Sequence, residues 1–259
     1  MKKNLINFLI LFLTIANKVL ADDLDGRKIA EMVNNANQSE IGIVVRGKMI
    51  LEDLEKAKKE ERSYIMLSLK KGKIKNSLFR FTSSSYKGTT FLTLEDSGEG
   101  KVSYIFLSSI GSPRQIESSE KEKNFIDTDI SNEEMAGSDI EDYKYLRLPD
   151  KKIEDMDCYV IERTPKRKDS KYKKHIVTVD KKTLIPIEVK MYDNYDRLAK
   201  VIKMSRINRV GSIYMPFETS VIDAEKKHKT IIFIESAYER EINPGYFNKN
   251  RMNRKLEFE

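Results

Sequence analysis

The chain has a single cysteine and two histidines among its 259 residues, so little catalytic chemistry is open to it. Cys158 sits in the apolar run Cys158-Tyr159-Val160-Ile161. A thiol there is expected to be buried and inert, because a reactive thiolate needs access and a nearby positive charge. One cysteine cannot form an intramolecular disulfide. His175 and His228 each open a predicted strand among lysines, with no Cys or acid at a spacing that would complete a metal site. No GxSxG, HExxH, phosphate-binding loop or dinucleotide fingerprint occurs. The 41 acids are scattered through a chain that is 34% charged, so close carboxylate pairs carry no signal for acid–base catalysis. The residues read as those of a non-enzyme with no cofactor and no metal. Arg80, flanked by Leu78, Phe79 and Phe81, fits either a solvated edge charge or a polar contact at a cavity mouth.

What must position any site is a succession of strands. In residues 185–192, Ile185, Ile187, Val189 and Met191 alternate with Pro186, Glu188, Lys190 and Tyr192, the two-residue period of a strand with one apolar face. Residues 198–210 carry Val201, Ile202, Met204 and Ile207. Residues 214–223 set Met215, Phe217 and Val221 against Glu218 and Ser220, and 228–241 set Ile232 and Ile234 opposite Ile231 and Phe233. Turns at 193–196, 210–212 and 224–227 join these into an antiparallel meander. Further strands are predicted at 41–51, 64–71, 74–82, 88–94, 102–107, 143–148 and 156–163, with Lys70-Lys71-Gly72-Lys73 as a hairpin turn. The charged run 52–62 fits a helical turn or an extended hairpin loop.

At the N-terminus, Lys2 and Lys3 precede an apolar run over 5–15, and Val19-Leu20-Ala21 suits a signal peptidase. Residues 1–21 are therefore expected to be an export signal cut after Ala21, leaving one domain over 22–259. The run is short of the roughly 20 residues needed to span a bilayer. The cut would leave +4 of the +7 formal charge, a balance that does not suggest a nucleic-acid partner. A mean hydropathy of −0.55 with 39% hydrophobic residues requires the apolar side chains to concentrate on inner faces. Residues 22–37 then read as an amphipathic helix, with Ile29, Met32, Val33 and Ala36 near helical spacing and Asp22, Asp23 and Asp25 at its start.

Residues 102–107, Val-Ser-Tyr-Ile-Phe-Leu, are apolar on both sides, as expected of a strand covered by a helix on one face and by something else on the other. Residues 114–142 form the longest stretch without strand character, a length that suits either a flap or a solvated connector. Within it, Ser131 and Glu134 stand at capping-box spacing for a short helix. Pro165-Lys166-Arg167-Lys168 reads as a basic hairpin tip, and the tail after Asn243-Pro244-Gly245 offers Phe247, Leu256 and Phe258 as docking points.

The order of several segments resembles the bacterial outer-membrane lipoprotein-sorting proteins, relatives of the carriers LolA and LolB. They are Ser112-Pro113-Arg114-Gln115-Ile116; Phe125-Ile126-Asp127-Thr128-Asp129 with the acidic turn to Met135; Asp157-Cys158-Tyr159-Val160-Ile161-Glu162; Val177-Thr178-Val179-Asp180; Leu184-Ile185-Pro186; Lys200; Tyr214-Met215-Pro216; and Asn243-Pro244. Asp127 stands where the family usually has Gly, and Lys75-Asn76 stands where lipoprotein carriers have an Arg-Pro pair.

The resemblance implies an α+β, mostly antiparallel fold: an incomplete, half-open β-barrel wrapped over a few helices. It implies a periplasmic, non-enzymatic carrier whose apolar cavity binds lipid or acyl chains and moves lipid or lipoprotein toward the outer membrane. Its expected partners are an inner-membrane transporter and an outer-membrane acceptor, and the expected state is a monomer. The cavity wall expected from the meander is Ile187, Val189, Met191, Met204, Met215, Phe217, Ile232 and Ile234, joined by Tyr104 and Phe106 from the two-sided strand. Phe125, Ile130 and Met135 are the expected lid contacts, with 114–142 as the lid. The other reading is an envelope interaction module that docks on a membrane transporter without lipid cargo.

Overall fold

The computed structural model describes residues 25–96 and 100–259; the expected export signal and its cut after Ala21 lie outside them. Helix α1 (Gly26–Asn35) begins where the Asp25 carboxylate accepts from the Lys28 amide at 2.7 Å, satisfying a donor that the first helical turn leaves free. The strands follow as β1 (Ile43–Asp53), β2 (Lys58–Lys71), β3 (Ile74–Phe81), β4 (Thr90–Asp96), β5 (Gly100–Phe106) and β6 (Pro113–Gln115). After helix α2 (Asn132–Ala136) come β7 (Tyr143–Ile153), β8 (Met156–Pro165), β9 (Tyr172–Asp180), β10 (Pro186–Asp193), β11 (Leu198–Val210), β12 (Ile213–Asp223) and β13 (His228–Glu239).

All thirteen strands form one antiparallel sheet in the order β6-β5-β4-β3-β2-β1-β13-β12-β11-β10-β9-β8-β7. β6 and β7 are neighbours along the chain yet occupy opposite edges, so the sheet is an unclosed barrel. The chain between them must cross from one edge to the other. The charged run 52–62 resolves as a long hairpin, since β1 and β2 stay paired out to Asp53 and Lys58. Residues 113–115 pair with β5 as a short edge strand, although 114 and 115 belong to the stretch expected to lack strand character.

Alternation splits the apolar residues into two cores. The inner one gathers Ile29 of α1, Phe79, Phe81, Phe91, Ile105, Val177, Val179, Val189 and Met191 with Phe125 and Ile130 from the crossing segment. The outer one seats Phe247, Met252, Leu256 and Phe258 of the tail on Val44, Ile65, Leu67, Leu78, Leu92 and Phe106. β5 is thus covered on both faces as expected, by the crossing segment with its helix α2, whose Asn132 and Ala136 lie near Lys101 and Ser103, and by the tail. α1 lies on β7 and β8. Gly26 allows that approach, because a Cβ there would stand 2.7 Å from the Leu146 carbonyl carbon.

Candidate functional site

The unclosed sheet leaves its inner face to be filled by whatever the chain can supply. At one end the supply is aromatic. Phe125 stacks on Phe81 at 5.8 Å between centroids and meets Phe91 edge-on at 5.4 Å and Phe79 at 5.8 Å. Toward α1 the filling is incomplete, and a cavity of about 440 Å³ remains, within the roughly 300–1,000 Å³ of ligand pockets. Its floor is Ile161 of β8, Val177 and Val179 of β9, Val189 and Met191 of β10, and Ile202 and Met204 of β11; Ala30 and Val33 of α1 close one side. Methionine suits such a wall, because its unbranched side chain adapts to ligands of varied shape. Among the described residues, no helix is long and apolar enough to cross a membrane.

The crossing segment is fastened to the inner face by a polar cluster. The Asp129 amide donates to Thr230 Oγ1 at 2.9 Å, and the Thr230 hydroxyl donates to the Asp129 carboxylate at 2.7 Å. His228 Nδ1 lies 2.6 Å from the same carboxylate. Lys200, only 1% exposed, donates to the Asp129 carbonyl at 2.7 Å and to Glu134 at 3.0 Å. Glu134 also accepts from the Ser131 amide at 2.7 Å, completing the expected capping box of α2. Buried Arg62 donates to the Ile126 carbonyl at 2.6 Å and lies over the Tyr86 ring, whose hydroxyl reaches Asp127 at 2.5 Å. Asp127 makes the tight turn without the usual glycine: it takes φ +58°, a left-handed geometry that Asp tolerates, while the β-branched Ile126 at φ +41° is strained.

Of the expected ligand contacts, Val189, Met191 and Met204 line the cavity. Ile187 is buried on β10 outside that lining, and Pro186 beside it takes part instead. Met215, Phe217, Ile232 and Ile234 pack half-buried on the same inner core, away from the cavity. Tyr104 and Phe106 are corrected: both belong to the outer core under the tail. On a strand, parity fixes the face, and it is Ile105 between them that points inward. Phe125 and Ile130 are buried in the inner core and Met135 packs against it. Arg80 is not a solvated edge charge; it lines a second cavity, of about 710 Å³, beside the tail rather than the one under α1. At 4% exposure it donates to the carbonyls of Met252 and Arg254, each at 2.7 Å, and pins the tail to the outer face.

Sequence reasoning missed Ile161, Ile202, Ala30 and Val33, together with the cationic residues at the cavity, Lys75, Lys101 and Arg163. Val177 and Val179 show the same alternation as Val189 and Met191 and could have been found by it. The lysines could not, since Lys75 and Lys101 are each the one lysine of their strand and no alternation of charge marks which face they take.

A family model described as an uncharacterized protein matches residues 73–254. A protein domain named for outer-membrane lipoprotein sorting, from Vibrio parahaemolyticus, superposes with a TM-score of 0.80 at 22% identity, covering 88% of this chain and 98% of that one. A DUF1329 family protein from Desulfovibrio piger gives a TM-score of 0.78 at 25% identity, with 88% and 97% covered. A LolA superfamily protein from Nitrosomonas europaea gives 0.67 at 18% identity, with 88% and 99% covered. No curated protein matches.

Proposed function

We propose, for a chain that belongs to the family of uncharacterized proteins matched over residues 73–254 and shares the LolA-superfamily fold, a non-enzymatic carrier of acyl chains in the bacterial periplasm. The observation that carries this reading is the cavity between α1 and the floor of β8–β11, with Val189, Met191 and Met204 in its wall. Each methylene removed from water contributes about 0.8 kcal/mol, so such a wall can hold a hydrocarbon chain without any reacting group. In this reading the crossing segment, fastened through Asp129 and Glu134, is the lid beside the chain. The cargo moves as lipid or lipoprotein between an inner-membrane donor and an outer-membrane acceptor.

The test is extraction of protein purified from the envelope without detergent, followed by mass spectrometry of the extract. Near-stoichiometric acyl species support the carrier; their absence from repeated preparations contradicts it.

A further inference from the structure

Among the described residues, the cavity's charges do not balance. Lys75 of β3 lines it, half-buried, and its ammonium makes no hydrogen bond or ion pair among the described residues. Lys101 of β5 lines it too, and among the described residues its ammonium meets only the carbonyls of Gly137 and Ser138, each at 3.2 Å. Arg163 of β8 gives its Nε to His175 at 2.9 Å and lies 4.6 Å over the Tyr143 ring, again with no carboxylate. The acid in the lining, Glu134, is already held by Lys200 at 3.0 Å and by the Ser131 amide.

Drawing a cation out of water without a counterion is unfavourable, and chains that keep one in an apolar pocket commonly use it. Burial pushes the Lys75 pKa down and the like charge of Lys101 adds to the effect; Glu95, whose carboxylate accepts from the Lys75 backbone amide at 2.9 Å and forms no ion pair with its ammonium, opposes it. A bound anion would supply the missing counterion for all three groups. A neutral lipid would leave them stranded, and a zwitterionic head would bring a cation of its own among them.

We propose that this cavity takes an amphiphile with an anionic head, a carboxylate or a phosphate monoester. The head meets Lys75, Lys101 and Arg163, and the chain lies on Val189, Met191, Ile202 and Met204. The inference rests on the carrier reading above and narrows its cargo. It also gives the two walls separate tasks, β8–β11 for the hydrocarbon and β3 and β5 for the charge.

The test is displacement of a neutral apolar fluorophore from the full chain by oleate, oleyl phosphate and oleyl alcohol at one ionic strength. Whichever acid is preferred identifies the head, and it should displace at concentrations at least about tenfold lower than the alcohol, equivalent to about 1.4 kcal/mol. Lys75→Met should shrink that ratio to below about threefold, while Lys75→Arg keeps it. The methionine variant should melt no lower than the parent, because it removes an unpaired charge. Equal binding of acids and alcohol would overturn the anionic head while leaving the carrier reading intact. So would a Lys75→Met variant that weakens acid and alcohol by the same factor. Failure of all three to displace the fluorophore would overturn both readings.

Discussion

The ammonium of Lys200, on the inner face of β11, donates to the backbone carbonyl of Asp129 at 2.7 Å. These residues are 71 positions apart in the chain, and the bond ties the segment crossing the sheet to the strand beneath it. Because β6 and β7 sit at opposite edges, that segment has no sheet neighbours of its own over most of its length. It is held by side chains, and each of those can be tested.

Lys200→Met leaves Glu134 and the Asp129 carbonyl without their cation. Removing one member of a buried ion pair costs about 3–5 kcal/mol. Hydrogen exchange should quicken in residues 125–136 well before it does in β1 and β13. Uniform loss of protection across the sheet would mean that Lys200 supports the whole fold rather than the lid.

Phe125→Ala removes the ring that three others surround. Large-to-small changes of this kind cost about 3–5 kcal/mol, measured here by urea unfolding. The vacated space adjoins the inner face, so an apolar probe should bind the variant at least as well as the parent. A stability change below about 1 kcal/mol would show that the aromatic cluster collapses to fill the gap.

Burial, reinforced by the charges of Arg163 and Lys200, holds the pKa of His175 well below its ordinary 6.5. The folded protein keeps this imidazole neutral, whereas the unfolded chain protonates near pH 6.5. Its contribution to stability is therefore complete above that pH and is lost as the pH falls below it, by up to about 1.4 kcal/mol per pH unit. Unfolding free energies measured between pH 7.5 and 5.5 should fall more steeply for the parent than for His175→Gln. Parallel profiles would refute the assignment.

Arg80 holds the tail by hydrogen bonds to the Met252 and Arg254 carbonyls and to Glu259, while its Nε donates to Thr90 of the neighbouring β4. Arg80→Met should cost at least about 2 kcal/mol, since hydrogen bonds to charged groups contribute about 1.5–3 kcal/mol each. It should also free the tail backbone, so that trypsin cuts after Lys249 and Lys255, whose side chains are already exposed. Acyl binding should persist, because the tail lies on the outer face.

Much of this architecture was legible in the residues. The alternation of Ile187, Val189 and Met191 marked a strand with one buried face, and Ser131 with Glu134 marked the start of α2, because both signals are local. Facing was harder. Tyr104, Ile105 and Phe106 are all apolar, so alternation carries no contrast there, and only the seating of the tail decides which of them looks inward. Arg80 was ambiguous for a related reason: the tail carbonyls that it holds are 172 and 174 residues away along the chain. The cationic side of the cavity was hidden among 48 lysines and arginines. What sets Lys75 apart is that its ammonium meets no hydrogen-bond or ion-pair partner among the described residues, which is a property of three-dimensional placement.

The most direct trial of the carrier reading is to locate the hydrocarbon itself. Crystals of the full chain with a long-chain acid brominated near its methyl end should show an anomalous bromine peak between α1 and the floor at Met191 and Met204. The peak should disappear when Met204→Glu places a charge in that floor. Bromine found only on the outer face, or an unchanged peak in the glutamate variant, would contradict the account.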